Sequence, residues 1–192
     1  MMRPSVSADL ELNSCKKLPG NTMIRSRPVA SAAVAIAAIG AATILGAWMF
    51  QYGLGLTPCP LCFEQRYAYY FAILLAVVVV VGDQVGVSRK MLFAALFAIA
   101  LAMFWNAGLA VYHSGVEWKW WAGPQECVAT LDDLGSADEF LNKLQSITPV
   151  RCDEAAWRLL GLSLAGYNAL ISLALALIAA WAALRARAPS QS

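Results

Sequence analysis

Apolar residues along this chain fall in long unbroken runs. They show neither the alternation of a half-buried strand nor the one-sided stripe of a soluble helix. Val29 to Phe50 is 22 residues without a charge, Met91 to Tyr112 is another 22, and Leu159 to Leu184 is 26. Each run exceeds the roughly 20 residues that cross about 30 Å of hydrocarbon. A shorter run of 16 residues, Tyr67 to Gly82, reads beside them as a fourth span whose outer end takes in Phe63 to Arg66. Val29–Phe50 is longer than a signal-peptide core, and no small-residue cleavage site follows it, so it reads as a retained span. The pattern predicts an all-α integral membrane protein, an antiparallel four-helix bundle. The spans are expected at 29–50, 66–82, 91–112 and 159–184 of a membrane domain 29–184. Outer loops are expected at 51–65 and 113–158, with tails at 1–28 (disordered) and 185–192.

Composition agrees with this class. The 192 residues are 60% hydrophobic and 14% charged, against about 45–50% and about 25% in soluble domains. One soluble core of this size cannot hide that much apolar surface, which argues against a soluble enzyme, a nucleic-acid binder or a disordered chain. Charge sets the orientation. Arg3, Lys16, Lys17, Arg25, Arg27, Arg89, Lys90, Arg185 and Arg187 fall on one side, and the 113–158 loop carries four basic and eight acidic residues. The positive-inside rule places both termini in the cytoplasm and the 51–65 and 113–158 loops outside. In the large loop, Gly123-Pro124 marks a turn. Ser136-Ala137-Asp138-Glu139 has the capping-box form, with Phe140, Leu141, Leu144 and Ile147 at helical spacing before Pro149. That segment reads either as an amphipathic surface helix or as an ordinary loop helix. Trp118, Trp120 and Trp121 suit an interfacial belt.

The chemistry-bearing residues are cysteines. Cys15 lies in the cytoplasmic tail and reads as a spare thiol, while Cys59, Cys62, Cys127 and Cys152 all fall outside. In a bacterium that compartment is oxidising. Cys59-Pro60-Leu61-Cys62 closes too small a ring to add much loop-closure stability, so this C-x-x-C reads as redox chemistry. Cys127 and Cys152 close a longer loop, and their spacing fits a structural or a redox pair equally. Only one pair has zinc-knuckle spacing and His113 is the single histidine, so no metal site is expected. Arg66, one helical turn after Cys62, is either an interface anchor for Glu64 or lipid phosphate, or the stabiliser of an anion beside Cys62. His113, at the outer end of the third span, is an interfacial polar group or a donor to the same acceptor.

Four spans, Pro58-Cys59-Pro60-Leu61-Cys62, Arg66 and the Cys127/Cys152 pair together resemble the DsbB family of the bacterial inner membrane. Tyr112-His113-Ser114-Gly115-Val116-Glu117-Trp118 and Trp121-Ala122-Gly123-Pro124 look like a branch of it. The resemblance covers about residues 30–184. It implies a quinone-linked thiol oxidase whose loops face the periplasm. A periplasmic DsbA-type thioredoxin-fold oxidase would be reoxidised at Cys127–Cys152, with attack at Cys127. Electrons would then pass to Cys59–Cys62 and on to ubiquinone or menaquinone from the membrane pool, and Cys62 would face the quinone. Arg66 and, from an approximate match, His113 would lie beside the quinone. Two other readings compete. A vitamin K epoxide reductase-like bundle also uses C-x-x-C chemistry, but its motif usually lies on a later helix. A non-enzymatic scaffold or transporter subunit would have structural disulfides, its pathway marked by Thr43, Asn106, Ser163, Asn168 and Ser172; none of these is charged.

Overall fold

A computed structural model describes residues 28–124 and 152–187. The expected helix at 136–149, Cys15 and Cys127 lie outside the described residues. Four helices dominate: α1 Pro28–Trp48, α2 Pro60–Val85, α3 Arg89–Glu117 and α4 Leu164–Arg187. All four are long and apolar enough to cross a membrane, α1 together with a π-helical turn at Met49–Gly53. The chain is thus an all-α membrane helical bundle.

The four helices pack through small residues, as lipid-embedded bundles do. Ala32, Ala33 and Gly40 of α1 are buried, as are Ala176, Ala179, Ala182 and Ala183 of α4. Tyr69, Leu96, Ile99, Met103 and Leu175 fill the centre. The large side chains Leu45, Phe104, Trp105 and Leu177 point outward, where hydrocarbon replaces water as their solvent. The most extensive contact is between α3 and α4.

Helix ends depart from the apolar runs, and each has a local cause. Cys59 is extended (φ −78°, ψ 165°) because a following proline disfavours the α region. Pro60, at the first helical position, has its φ pre-set for the helix. So α2 starts at Pro60 and takes Cys62 and Arg66 onto the helix. It stops at Gly86, whose φ of 80° is the left-handed conformation a helix C-terminus uses. Helix α3 runs on past Tyr112 to Glu117, and so carries His113. The last apolar run does not begin as helix. Arg158–Leu159 (β1) and Leu162–Ser163 (β2) pair antiparallel around Leu160 and Gly161, both at positive φ. Ser163 Oγ then accepts the Gly166 N–H at 3.2 Å, which is the N-cap bond that starts α4.

Candidate redox site

The N-terminal turn of α2 brings Cys59 and Cys62 together. Cys59 is the N-cap, and its carbonyl accepts the N–H groups of Cys62 and Phe63 at 3.0 and 3.2 Å. That turn sets the two sulfurs 2.9 Å apart as free thiols, with Cys59 buried and Cys62 half-buried. The hydrogen bond with Cys62, reinforced by burial, pushes the Cys59 thiol far above the ordinary thiol range. The pair therefore keeps a proton on Cys59, and Cys62 is the sulfur free to be a thiolate.

Helix α3 approaches from the side. His113 is buried, and its Nε2 lies 3.6 Å from Cys59 Sγ. Its Nδ1 accepts from Gln65 Nε2 at 3.1 Å, so the ring proton sits on Nε2 and points at the Cys59 sulfur. The bond that fixes this tautomer belongs to a chain of polar groups across the bundle. Gln65 Oε1 accepts from Asn168 Nδ2 at 2.5 Å, and Asn168 Oδ1 accepts from the Tyr69 hydroxyl at 2.5 Å. Ser172 Oγ lies 3.0 Å from that hydroxyl and accepts from Asn106 Nδ2 at 2.9 Å. Buried polar groups in hydrocarbon need such partners. Glu117, one turn after His113, is also buried. Its Oε1 lies 3.9 Å from His113 Nε2, and its Oε2 has no hydrogen-bond partner among the described residues.

Arg66 donates from Nη1 to Gln51 Oε1 at 2.6 Å, and its guanidinium carbon lies 5.2 Å from the Phe63 ring centre. Gln51 comes from the π-helical turn that ends α1, a geometry often found at functional sites. Arg66 is thus steered by a neutral acceptor.

These groups line one cavity of about 440 Å³ between the C-terminal ends of α1 and α3 and the N-terminal ends of α2 and α4. Its lining combines Cys59, Cys62, Arg66, His113 and Glu117 with apolar side chains that include Ile44, Phe50, Trp157 and Ile171. The volume is in the range of pockets that enclose a small organic ring.

Cys152 is disulfide-bonded and buried. It packs in one cluster with Cys59 and Leu61, flanked by Cys62, Leu109 and Tyr112. The segment after it is held from two sides. Lys119 Nζ meets Asp153 Oδ2 at 2.6 Å, and Trp157 packs on Phe50 with ring centres 5.1 Å apart. The structure therefore gathers Cys59, Cys62, Cys152, Arg66 and His113 in one place, while Cys127 lies outside the described residues. Sequence reasoning missed Gln51, Gln65 and Glu117. The available signals were a polar Glu64-Gln65-Arg66 run at the start of a long apolar helix and a carboxylate four residues after the only histidine. The tryptophans read as an interfacial belt also pack on one another: Trp121 stacks on Tyr112 and donates to its carbonyl at 2.9 Å.

Comparison with known proteins adds a family. Residues 29–182 match the family model of disulfide bond formation protein DsbB. Disulfide bond formation protein B of Polaromonas sp. strain JS666 is 31% identical over 67% of this chain and 74% of its own length. Proteins of that name from Stutzerimonas stutzeri and Marinobacter nauticus are each 26% identical. They match over 78% and 74% of this chain and over 92% and 84% of their own lengths. No solved structure matches.

Proposed function

Since this chain belongs to the DsbB family of disulfide bond formation proteins, we propose that it reoxidises a periplasmic dithiol oxidase of the DsbA type. Electrons pass through two cysteine pairs to a membrane quinone. The observation that carries this reading is that the buried Cys152 shares one cluster with Cys59, which itself lines the cavity; a relay between two cysteine pairs needs that proximity. Both termini lie in the cytoplasm, the helices run antiparallel in the inner membrane, and the cysteine loops face the periplasm.

The chemistry is a series of thiol–disulfide exchanges, each a thiolate attack on a disulfide sulfur. The partner's thiolate attacks Cys127 of the Cys127–Cys152 disulfide and releases the Cys152 thiolate. Cys152, which shares a cluster with Cys59, attacks Cys59 of an oxidised Cys59–Cys62 pair and releases the Cys62 thiolate. The partner's second thiol expels Cys127 and leaves oxidised. Cys127 then reforms its bond with Cys152 and releases Cys59. Cys59 and Cys62 close again as two electrons leave, accompanied by the two protons the partner's dithiol brought.

A bound ubiquinone or menaquinone supplies the two-electron sink. The chain's own residues set the stage for it. Arg66 holds positive charge where an anion forms. The His113 Nε2–H steadies the sulfur of Cys59. The cavity wall excludes water.

The test uses the full chain in detergent with quinone and a reduced thioredoxin-fold partner, following quinone absorbance and partner oxidation together. Equal stoichiometry is expected, lost in both Cys62→Ser and Cys127→Ser. Arg66→Ala is expected to raise the KM for quinone about tenfold, the loss of one charge-assisted contact. Partner oxidation without quinone reduction would refute the acceptor assignment.

A further inference from the structure

The spacing that argues against a metal site in the sequence is bypassed by the fold. His113 lies 54 positions from Cys59, yet one ligand atom from each of Cys59, Cys62 and His113 falls within 4.8 Å of the others. We propose that the reduced Cys59–Cys62 pair and His113 form a binding site for a thiophilic divalent cation, Zn²⁺, that exists only while the pair is reduced. That zinc binding blocks the relay rests on the function proposed above; the binding itself does not.

The donor set is two sulfurs and one imidazole, the combination that borderline-soft Zn²⁺ selects. Tetrahedral bonds of about 2.3 Å to sulfur and about 2.0 Å to nitrogen space ligand atoms roughly 3.3–3.8 Å apart. The 3.6 Å between Cys59 Sγ and His113 Nε2 already fits. The 2.9 Å between sulfurs must open, which side-chain rotation at the first turn of α2 can provide. Glu117, whose carboxylate falls outside that 4.8 Å group, must swing toward the sulfurs to serve as a fourth, oxygen donor. Its Oε1 is 3.9 Å from His113 Nε2, and its buried Oε2 has no partner among the described residues. Two thiolates balance the cation's charge. The step is a proton exchange with no change of oxidation state: Zn²⁺ binds, and two thiol protons leave to solvent. Once Cys59 and Cys62 form a disulfide, neither sulfur is a thiolate and the site is gone.

The surrounding hydrogen bonds can follow. To ligate, His113 must bare Nε2 and carry its proton on Nδ1. Gln65 then turns its amide to present Oε1, and Asn168, its neighbour in the chain of polar groups, turns in step. A carbonyl accepting from the non-ligating ring nitrogen is the usual outer support of a zinc-bound histidine. Bound there, Zn²⁺ ties up both sulfurs at the polar end of the cavity and holds the pair reduced.

The test titrates Co²⁺ into the full-length reduced protein in detergent. It follows the thiolate-to-cobalt charge-transfer and tetrahedral d–d absorption, then displaces Co²⁺ with Zn²⁺ against a chromophoric chelator. One equivalent is expected, absent from the oxidised protein and from Cys59→Ser/Cys62→Ser. His113→Ala is expected to weaken binding at least about tenfold. His113→Asn is the second variant, keeping a polar group beside Gln65 but offering no ring nitrogen to the cation. Unchanged binding in Cys59→Ser/Cys62→Ser would place the cation on Cys15, Cys127 or Cys152 and overturn the site. Unchanged affinity in both His113 variants would reduce it to a bare dithiol chelate and overturn it equally. These readouts need no quinone, so they stand apart from the proposed activity. Where that activity holds, turnover falls by half at the Zn²⁺ concentration that half-fills the site, and chelator restores it.

Discussion

Two neighbouring thiols with different proton affinities stand at the centre of the proposed chemistry. Cys59 and Cys62 differ by three positions, but Cys59 is the more deeply buried of the two and lies 3.6 Å from His113 Nε2. The hydrogen bond that the Cys59 thiol donates to the Cys62 sulfur and its burial both raise the Cys59 pKa, so raising pH through the ordinary thiol range, about 8.5, leaves Cys59 protonated. In the reduced protein between pH 7 and 9, alkylation is therefore expected at Cys62 first, with little at Cys59. Cys62→Ala removes the larger cause, so Cys59 labelling should then rise with pH in that window; mass spectrometry of the labelled peptides reads both. The same scale contains Gln65, whose donation to His113 Nδ1 aims the other nitrogen at Cys59. Gln65→Leu frees the tautomer. It is expected to lower turnover by up to about tenfold, the worth of one hydrogen bond of about 1.4 kcal/mol, with the thiol pair still able to oxidise. Steady-state quinone reduction measures it.

At the scale of elements, the site is made by helix ends. Pro60 starts α2 so that the C-x-x-C wraps its first turn, and the π-helical turn after α1 delivers Gln51 to Arg66. The outer end of α3 is fixed by its aromatic neighbours. A Cβ at Gly115 would sit 2.0 Å from a ring carbon of Trp121, which stacks on Tyr112. Gly115→Ala must therefore expel the indole or bend α3 two residues from His113. A destabilisation of about 1–3 kcal/mol is expected, as for other overpacked sites, seen as a lower Tm in detergent. A Tm equal to the parent's would show that Trp121 is not held there. Alanine at Gly108, where nothing lies near the added atom, serves as the matched control.

The whole molecule is a four-helix scaffold whose packed core lies along the spans and whose chemistry sits at one end. Its cavity is walled by all four helices and by the segment following Cys152. Topology predicts an asymmetry that labelling can read. In chains keeping a single cysteine, a membrane-impermeant thiol reagent applied to intact spheroplasts should reach Cys62 and leave Cys15 unlabelled until the membrane is opened. The reverse pattern would invert the orientation drawn from the Lys and Arg distribution.

By itself the sequence determined that this is a membrane bundle, because runs of more than twenty uncharged residues have no other stable home. It also marked Cys59, Cys62 and Arg66, since three- and four-residue spacings are read along one local turn. Which residues surround that turn was decided by tertiary structure. The approach of His113, the chain of polar groups through Gln65 and Asn168, the buried Glu117 and the clustering of Cys152 with Cys59 and Leu61 all join positions distant in sequence. Helix packing brings them together, and periodicity along one strand of sequence has no term for the distance between two helices. The hairpin at Arg158–Ser163 is a similar case. Its apolar residues are indistinguishable by composition from the helix that follows, and the turn at Leu160–Gly161 with the Ser163 cap is what moves the start of α4.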